Sequence, residues 1–140
     1  MIPIVIIDER KGMLWNHRRQ SQDRLLRKKI MQVIQGKKLW MNPYTWTQFA
    51  PEYAAANSIE VDEDFMEKAG EEEYCLIEDK HLRVYSDSIQ ALLLFRWDRK
   101  YPADFFLDLA LDDGTWKCIK TEEFSGFSHK KITMEVYQHE

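Results

Sequence analysis

The run Ile2-Pro3-Ile4-Val5-Ile6-Ile7 constrains the fold more than any other stretch of this chain. It is rich in β-branched residues and does not alternate with polar ones, so it reads as a strand buried on both faces of a sheet. Such a strand needs a covering layer on each side, and the following residues supply candidates. Asp8-Glu-Arg-Lys-Gly12 ends the strand as a turn. Ser21 is placed to cap a helix over 22–35, in which Leu25, Leu26, Ile30, Val33 and Ile34 form one apolar stripe. Gly36 stands where a left-handed C-cap belongs. Lys38-Leu-Trp-Met41 reads as a second strand, stopped by Asn42-Pro43. Thr45 then opens a short helix that Pro51 interrupts or ends.

An acidic helix is expected over 62–69, with Asp62, Glu63 and Asp64 at its dipole-favoured start and Gly70 closing it. Tyr74-Cys-Leu-Ile77 is another buried strand, and Ala91–Trp97 gives the strongest strand signal of the second half. The stretch 82–85 is ambiguous, and 86–90 suggests a helical turn. Segments 105–111 and 115–120 flank Asp112-Asp113-Gly114, which predicts a hairpin. Ile132, Met134 and Val136 alternate with Thr133, Glu135 and Tyr137 in a half-buried last strand. Strand and helix alternate first and antiparallel strands follow. The expected fold class is therefore α/β, a mixed central sheet flanked by helices.

A chain of 140 residues fits one domain over 1–140, and 44% hydrophobic content with eighteen aromatic residues argues for a packed core rather than disorder. No apolar run is long enough to span a bilayer. The N-terminus lacks the basic region and cleavage pattern of a signal peptide. Cys75 and Cys118 both fall in strand-like segments and read as reduced core thiols. These features place the protein in the cytoplasm. Its charges are segregated: residues 10–38 hold ten Lys/Arg against Asp23 alone, and 52–79 hold eleven Asp/Glu against Lys68 alone. A basic stretch of this kind can serve nucleic acid, so an RNA-binding module at 10–38 is one reading. The other is a pair of solvated faces that complement each other in the fold.

In order and spacing these landmarks resemble the dihydrofolate reductase family over nearly the whole chain. Ile4-Val-Ile-Ile-Asp8 and Gly12-Met-Leu-Trp-Asn16 look like its first strand and the loop over its active site. Ser21-Gln-Asp23-Arg-Leu25 is similar to the helix start that carries its catalytic acid. Leu39-Trp-Met-Asn-Pro-Tyr-Thr45-Trp46 is similar to the turn that holds its cofactor phosphates. Tyr101-Pro-Ala-Asp104-Phe-Phe106, Trp116-Lys117 and 132–137 resemble its closing strands. The chain also resembles a set of small uncharacterised bacterial proteins recognisable by Arg18-Arg-Gln-Ser-Gln-Asp23, Leu39-Trp-Met-Asn42 and Ser128-His-Lys-Lys-Ile-Thr133. Proteins of that type are sometimes labelled ribonuclease Z. Such chemistry needs clustered His and Asp ligands for paired metals, whereas His17, His81, His129 and His139 are scattered, so the label is rejected and no metal site is expected.

The resemblance implies roles that individual residues can be weighed against. Asp23 aligns with a proton donor, but its neighbours Arg19, Arg24 and Arg27 would lower its pKa and suit a salt bridge at the helix start. Thr45 and Asn42 align with the cofactor-binding turn, where Thr45 also serves as a plain N-cap. Two phosphate anchors differ from the family pattern. Pro43-Tyr44 precedes Thr45 where an arginine is expected, and Glu78-Asp79 replaces a glycine pair, adding charge where backbone must approach phosphate. Trp15, Trp40, Trp46 and Tyr44 could line a pocket for a planar ligand or belong to the core, and Arg19 is a further candidate for contact with a ligand or partner. Trp97 and Arg99 fall in a charged and aromatic segment that reads as a recognition loop or a solvated one. The sequence thus predicts a fold retained without the usual NADPH seat and without a resident cofactor. It would bind a protein partner or small ligand. The alternatives are an NADPH-dependent reductase of a pterin- or flavin-like substrate and the RNA-binding module.

Overall fold

A computed structural model describes residues 1–139. In chain order the elements are β1 (Ile2–Ile7), β2 (Gly12–Trp15), β3 (Arg18–Arg19), α1 (Arg24–Ile34), β4 (Leu39–Met41), α2 (Pro43–Tyr53) and β5 (Ile59–Val61). They continue with α3 (Phe65–Lys68), β6 (Tyr74–Ile77), β7 (Ala91–Trp97), β8 (Phe105–Phe106), β9 (Trp116–Phe124) and β10 (Ile132–His139), with a short 3-10 helix over Arg83–Ser88. Seven strands form the main sheet in the order β5-β4-β6-β1-β7-β10-β9. The pairs from β5 to β7 are parallel, and β10 is antiparallel to both β7 and β9. A small antiparallel sheet, β3-β2-β8, lies apart from it. The mixed α/β sheet expected from the sequence is the observed fold.

β1 sits between β6 and β7 and feeds both cores. Successive side chains of a strand point to opposite faces. Ile4 therefore joins Leu26, Ile30 and Ile34 of α1, Phe49 of α2, and Leu76 and Phe95. Val5 and Ile7 join Met13 and Leu14 of the small sheet, Phe65 and Met66 of α3, Leu82 and Leu107. The apolar stripe of α1 is buried as its spacing predicts, except that Leu25 and Val33 lie at its half-buried margin. Cys75 is buried, and desolvation pushes its thiol up to about 12.

The local corrections have physical causes. α1 starts at Arg24 because Asp23, not Ser21, is the N-cap, its carboxylate accepting from the amides of Leu25 and Leu26. Gln35 adopts the left-handed conformation at the other end, just before Gly36. α2 is capped by Asn42 with Pro43 in its first turn, and it runs through Pro51 to Tyr53 rather than stopping there. Thr45 is inside that helix. The acidic helix shrinks to Phe65–Lys68, and β5, which the sequence reading missed, precedes it. Asp112-Asp113-Gly114 does turn, with Gly114 at φ 88°, but no hairpin forms across it. Phe105–Phe106 pairs with β2, while Trp116–Phe124 pairs with β10. A turn reverses the chain locally; the partner is chosen by which sheet edge is open. Cys118 is exposed on β9, not a core thiol.

Phe49 is the only fully buried aromatic residue that α2 contributes to the α1-side core. Phe49→Ala is expected to cost about 3 kcal/mol through lost contacts and a residual cavity. Urea unfolding monitored by far-UV circular dichroism measures it.

Candidate functional site

Asp23 lies at the start of α1, and its carboxylate is buried and saturated with donors. Oδ1 accepts from the N–H groups of Leu25 (2.9 Å), Leu26 (3.2 Å) and Phe127 (2.9 Å). Oδ2 accepts from the Ser128 N–H at 2.9 Å and meets His129 Nδ1 at 3.1 Å. Burial alone would raise the pKa of this carboxyl. The amides of Phe127 and Ser128, the His129 ring and the Leu26 amide outweigh it and hold the pKa well below the usual range. The three arginines near it in sequence point elsewhere: Arg19 to Glu78, Arg27 to Glu52, and Arg24 over the Phe127 ring. Hydrogen bonds, not neighbouring cations, keep Asp23 ionised. A carboxylate so enclosed anchors the 125–130 loop against α1, and it is poorly placed to give a proton to a ligand. Gly126 permits the approach, since a Cβ there would stand 2.6 Å from Asp23 Oδ2.

His129 continues the network. Its Nε2 lies 3.0 Å from Ser21 Oγ and 3.1 Å from the Tyr101 hydroxyl, and its ring stacks on Trp97 with centroids 4.3 Å apart. Trp97 is therefore a buried support rather than part of an exposed recognition loop. Asp8, at the end of β1, forms a second anchor. Its carboxylate accepts from the amides of Arg10, Gly12 and Tyr101 and from the Gln20 side chain.

Glu78 follows β6 directly, where the resemblance places the glycine pair, and its side chain is buried. Arg19 of β3 grips it in two parallel bonds, Nε to Oε2 at 2.9 Å and Nη2 to Oε1 at 3.0 Å. Gln48 of α2 donates to the same carboxylate at 3.2 Å. The Arg19 guanidinium also lies 4.4 Å from the centroid of the Tyr44 ring, and the Arg19 N–H donates to the Tyr44 hydroxyl at 2.8 Å. Burial would lower the arginine's pKa, but the Glu78 hydrogen bond and charge raise it. Asp79 accepts from Asn42 Nδ2 at 2.9 Å while Asn42 Oδ1 caps the Thr45 amide at 3.0 Å. Both acids are partnered within the protein, and Glu78 acts by occupying space between β3, β6 and α2. Thr45 is fully buried and its hydroxyl has no hydrogen-bond partner among the described residues.

The cleft between α1, α2 and the strand ends is nearly closed. Two cavities of about 10 Å³ each remain, one beside Ser21, Gln48 and Phe49, the other beside Met13, Arg19 and Glu78. Each has room for one water molecule. An open cavity of about 280 Å³ lies outside the cleft, lined by Trp15, Arg18, Arg19, Gln20 and Tyr101. A larger hollow of about 360 Å³ is lined by the exposed Asp98, Arg99, Ser128, Lys130 and Lys131 and by the mostly buried His129. Of the sequence-predicted residues, Arg19 shares the 280 Å³ cavity with Trp15 and rests on Tyr44, which lies outside that cavity's lining. The structure separates Trp46, half-buried in the α1-side core, and Arg99, exposed on the loop after β7. His129, Gly126, Ser128 and Tyr101 were missed as site residues. His129 meets Asp23 across 106 positions, a separation no local pattern reports.

Among the described residues, no group of three or more His, Cys, Asp or Glu is arranged to hold a metal ion, and no helix is long and apolar enough to cross a membrane. No protein-family model matches the sequence, and no curated protein matches it. The fold is similar to that of a solved structure, dihydrofolate reductase from Enterococcus faecalis complexed with NADP(H) and RAB-propyl. The TM-score is 0.67 at 14% identity, covering 99% of this chain and 95% of that one. The chain therefore has a dihydrofolate reductase-like fold.

Two variants test the anchors. Glu78→Gln leaves Arg19 without its counter-charge and is expected to destabilise by about 2 kcal/mol, read from urea midpoints. Asp23 has a folded pKa below its unfolded one, so its contribution is complete above the ordinary carboxyl pKa of about 4 and is lost as pH falls below it. Unfolding free energy should decline on acidification in the native protein, and Asp23→Asn should be less stable at neutral pH with a shallower acid decline.

Proposed function

We propose that this chain is a binding protein on a dihydrofolate reductase-like fold rather than a nicotinamide-dependent reductase. Its ligand seat is the cavity between the β2–β3 hairpin and Tyr101. The observation that carries this reading is the Arg19–Glu78 pair, which fills the place where a reductase of this fold would admit cofactor backbone contacts. A bidentate pair with a third donor from Gln48 is expensive to open, because each partner would be left as a buried charge.

The seat itself selects for a small planar anion. Trp15 is 52% exposed and supplies an aromatic face, with Tyr101 and the exposed Arg18 beside it. Asn16 and His17, both at positive φ, form the tight turn that holds Trp15 and Arg18 side by side on paired strands. A volume of about 280 Å³ suits one ring system with an acidic group, below the usual range for larger ligands. The RNA reading receives less support. Arg10, Lys11, Arg19, Arg27 and Lys29 are all spent on internal acceptors, which breaks the basic stretch into separate charges. Two of those acceptors, Glu52 and Glu78, belong to the acidic stretch, so the opposed charges meet within the fold.

Titration of tryptophan fluorescence with a panel of aromatic carboxylates, nucleoside monophosphates, NADPH and a short single-stranded RNA separates these readings. The expected result is saturable quenching by a small aromatic anion, weakened at least tenfold in Trp15→Ala and Arg18→Ala. Micromolar NADPH binding, or oxidation of NADPH with a pterin, would overturn it in favour of a reductase. Salt-sensitive RNA binding lost on neutralising Arg18 and Lys28 would favour the RNA module.

A further inference from the structure

We propose that Ser21, His129 and Asp23 form a relay that makes Ser21 a nucleophile toward small acyl esters. This inference is independent of the ligand seat at Trp15. Asp23 Oδ2 lies 3.1 Å from His129 Nδ1, and His129 Nε2 lies 3.0 Å from Ser21 Oγ. Those are the contacts by which a carboxylate orients an imidazole and the imidazole takes a serine proton. The ring is held on both sides of that line. Its side chain is 8% exposed, Trp97 stacks on it, and Asp23 is itself fixed by backbone amides from α1 and the 125–130 loop. Asp23 stays ionised, as a partner to a transient imidazolium must.

The remaining features fit the chemistry. Ser21 stands two residues before the N-cap of an eleven-residue helix, and among the described residues no hydrogen bond occupies the N–H of Gln22 or Asp23. The amide that follows a nucleophilic serine is the one that serves an oxyanion in nucleophile-elbow enzymes. Ser21 lines the crevice of about 10 Å³ beside Gln48 and Trp97, which holds no more than one water. That space takes only a carbonyl oxygen in place of the water, so the acyl group is kept small and the rest of the ester lies on the half-exposed side of Ser21. Other groups near the ring are the Tyr101 hydroxyl at Nε2 and Ser128 Oγ, 3.2 Å from Nδ1. Tyr101 can accept the Nε2 proton's hydrogen bond once the ring is charged.

In the first step the Ser21 oxygen bonds to the ester carbonyl carbon while its proton passes to His129 Nε2. Collapse breaks the bond to the leaving alcohol, which takes that proton. Water then attacks acyl-Ser21 through the same two proton transfers in reverse order, releasing the acid and restoring the hydroxyl. No other reactant is required. Ser21 and His129 are the catalytic residues, and Asp23 is a positioning residue.

The test is a fluorescent fluorophosphonate applied to the folded full-length protein, followed by peptide mapping, with p-nitrophenyl acetate as substrate. Labelling on Ser21, its loss in Ser21→Ala at unchanged melting temperature, and a burst of p-nitrophenol are the expected results. Asp23→Asn, shown folded by circular dichroism, should lower kcat at least about a hundredfold with KM little changed. Absence of labelling in the folded native protein overturns the proposal, as does labelling that persists in Ser21→Ala.

Discussion

Burial of β1 on both faces governs this structure. Ile4 reaches the α1- and α2-covered core, Val5 and Ile7 reach the opposite one, and the strand is clamped between β6 and β7. Burying apolar surface on both sides of one strand requires each covering layer to be present, so removing either exposes the centre of the sheet. The ends of the central strands are consequently where the chain must leave a fully apolar environment. Asp8 after β1 and Glu78 after β6 sit at those exits, and both are buried.

A buried carboxylate is tolerable only when its oxygens are occupied by donors. Asp8, Asp23 and Glu78 each meet that demand with groups distant in sequence, and each thereby ties a loop to the sheet or a helix. Asp8 holds the turn at Gly12 and the Tyr101 amide; Asp23 holds the 125–130 loop; Glu78 holds β3 and α2 through Arg19 and Gln48. The same three ties close the cleft. A dihydrofolate reductase-like fold is retained, and the space between β3, β6 and α2 is filled by the Arg19–Glu78 ion pair. What stays accessible includes the outer face of the β2–β3 hairpin, with an exposed tryptophan and arginine, and the hollow between Arg99 and Lys131.

Much of the fold was legible. Periodicity located β1, α1, β6, β7 and β10, and the alternation of strand and helix indicated a mixed sheet. Not every short element was legible. β4 and β6 were read as strands, whereas β2, β3 and β5, of two to four residues each, were not, since their pairing depends on an available edge. Asp112-Asp113-Gly114 illustrates the limit: a sound turn signal whose flanking segments pair with different sheets. At the site, Asp23 was singled out as the lone acid of a basic stretch, but its neighbours in sequence were mistaken for its partners. Arg19, Arg24 and Arg27 are close along the chain, whereas Phe127, Ser128 and His129 are the groups in contact.

The sequence by itself determined which segments are apolar, where the two longer helices lie to within a few residues, and that the glycine pair and arginine expected from the resemblance are replaced by Glu78-Asp79 and Pro43-Tyr44. Those properties depend on side-chain chemistry and on spacing within a few residues. Only the tertiary structure decided what the replacements do. Glu78 was a repelling charge on paper and is a neutralised wedge in the fold. The cation missing before Thr45 arrives from β3 as Arg19, resting on Tyr44, and is consumed by that wedge. A carboxylate's role is set by the donors around it, and here those donors are brought in from elsewhere along the chain by the packing of two cores on one central strand.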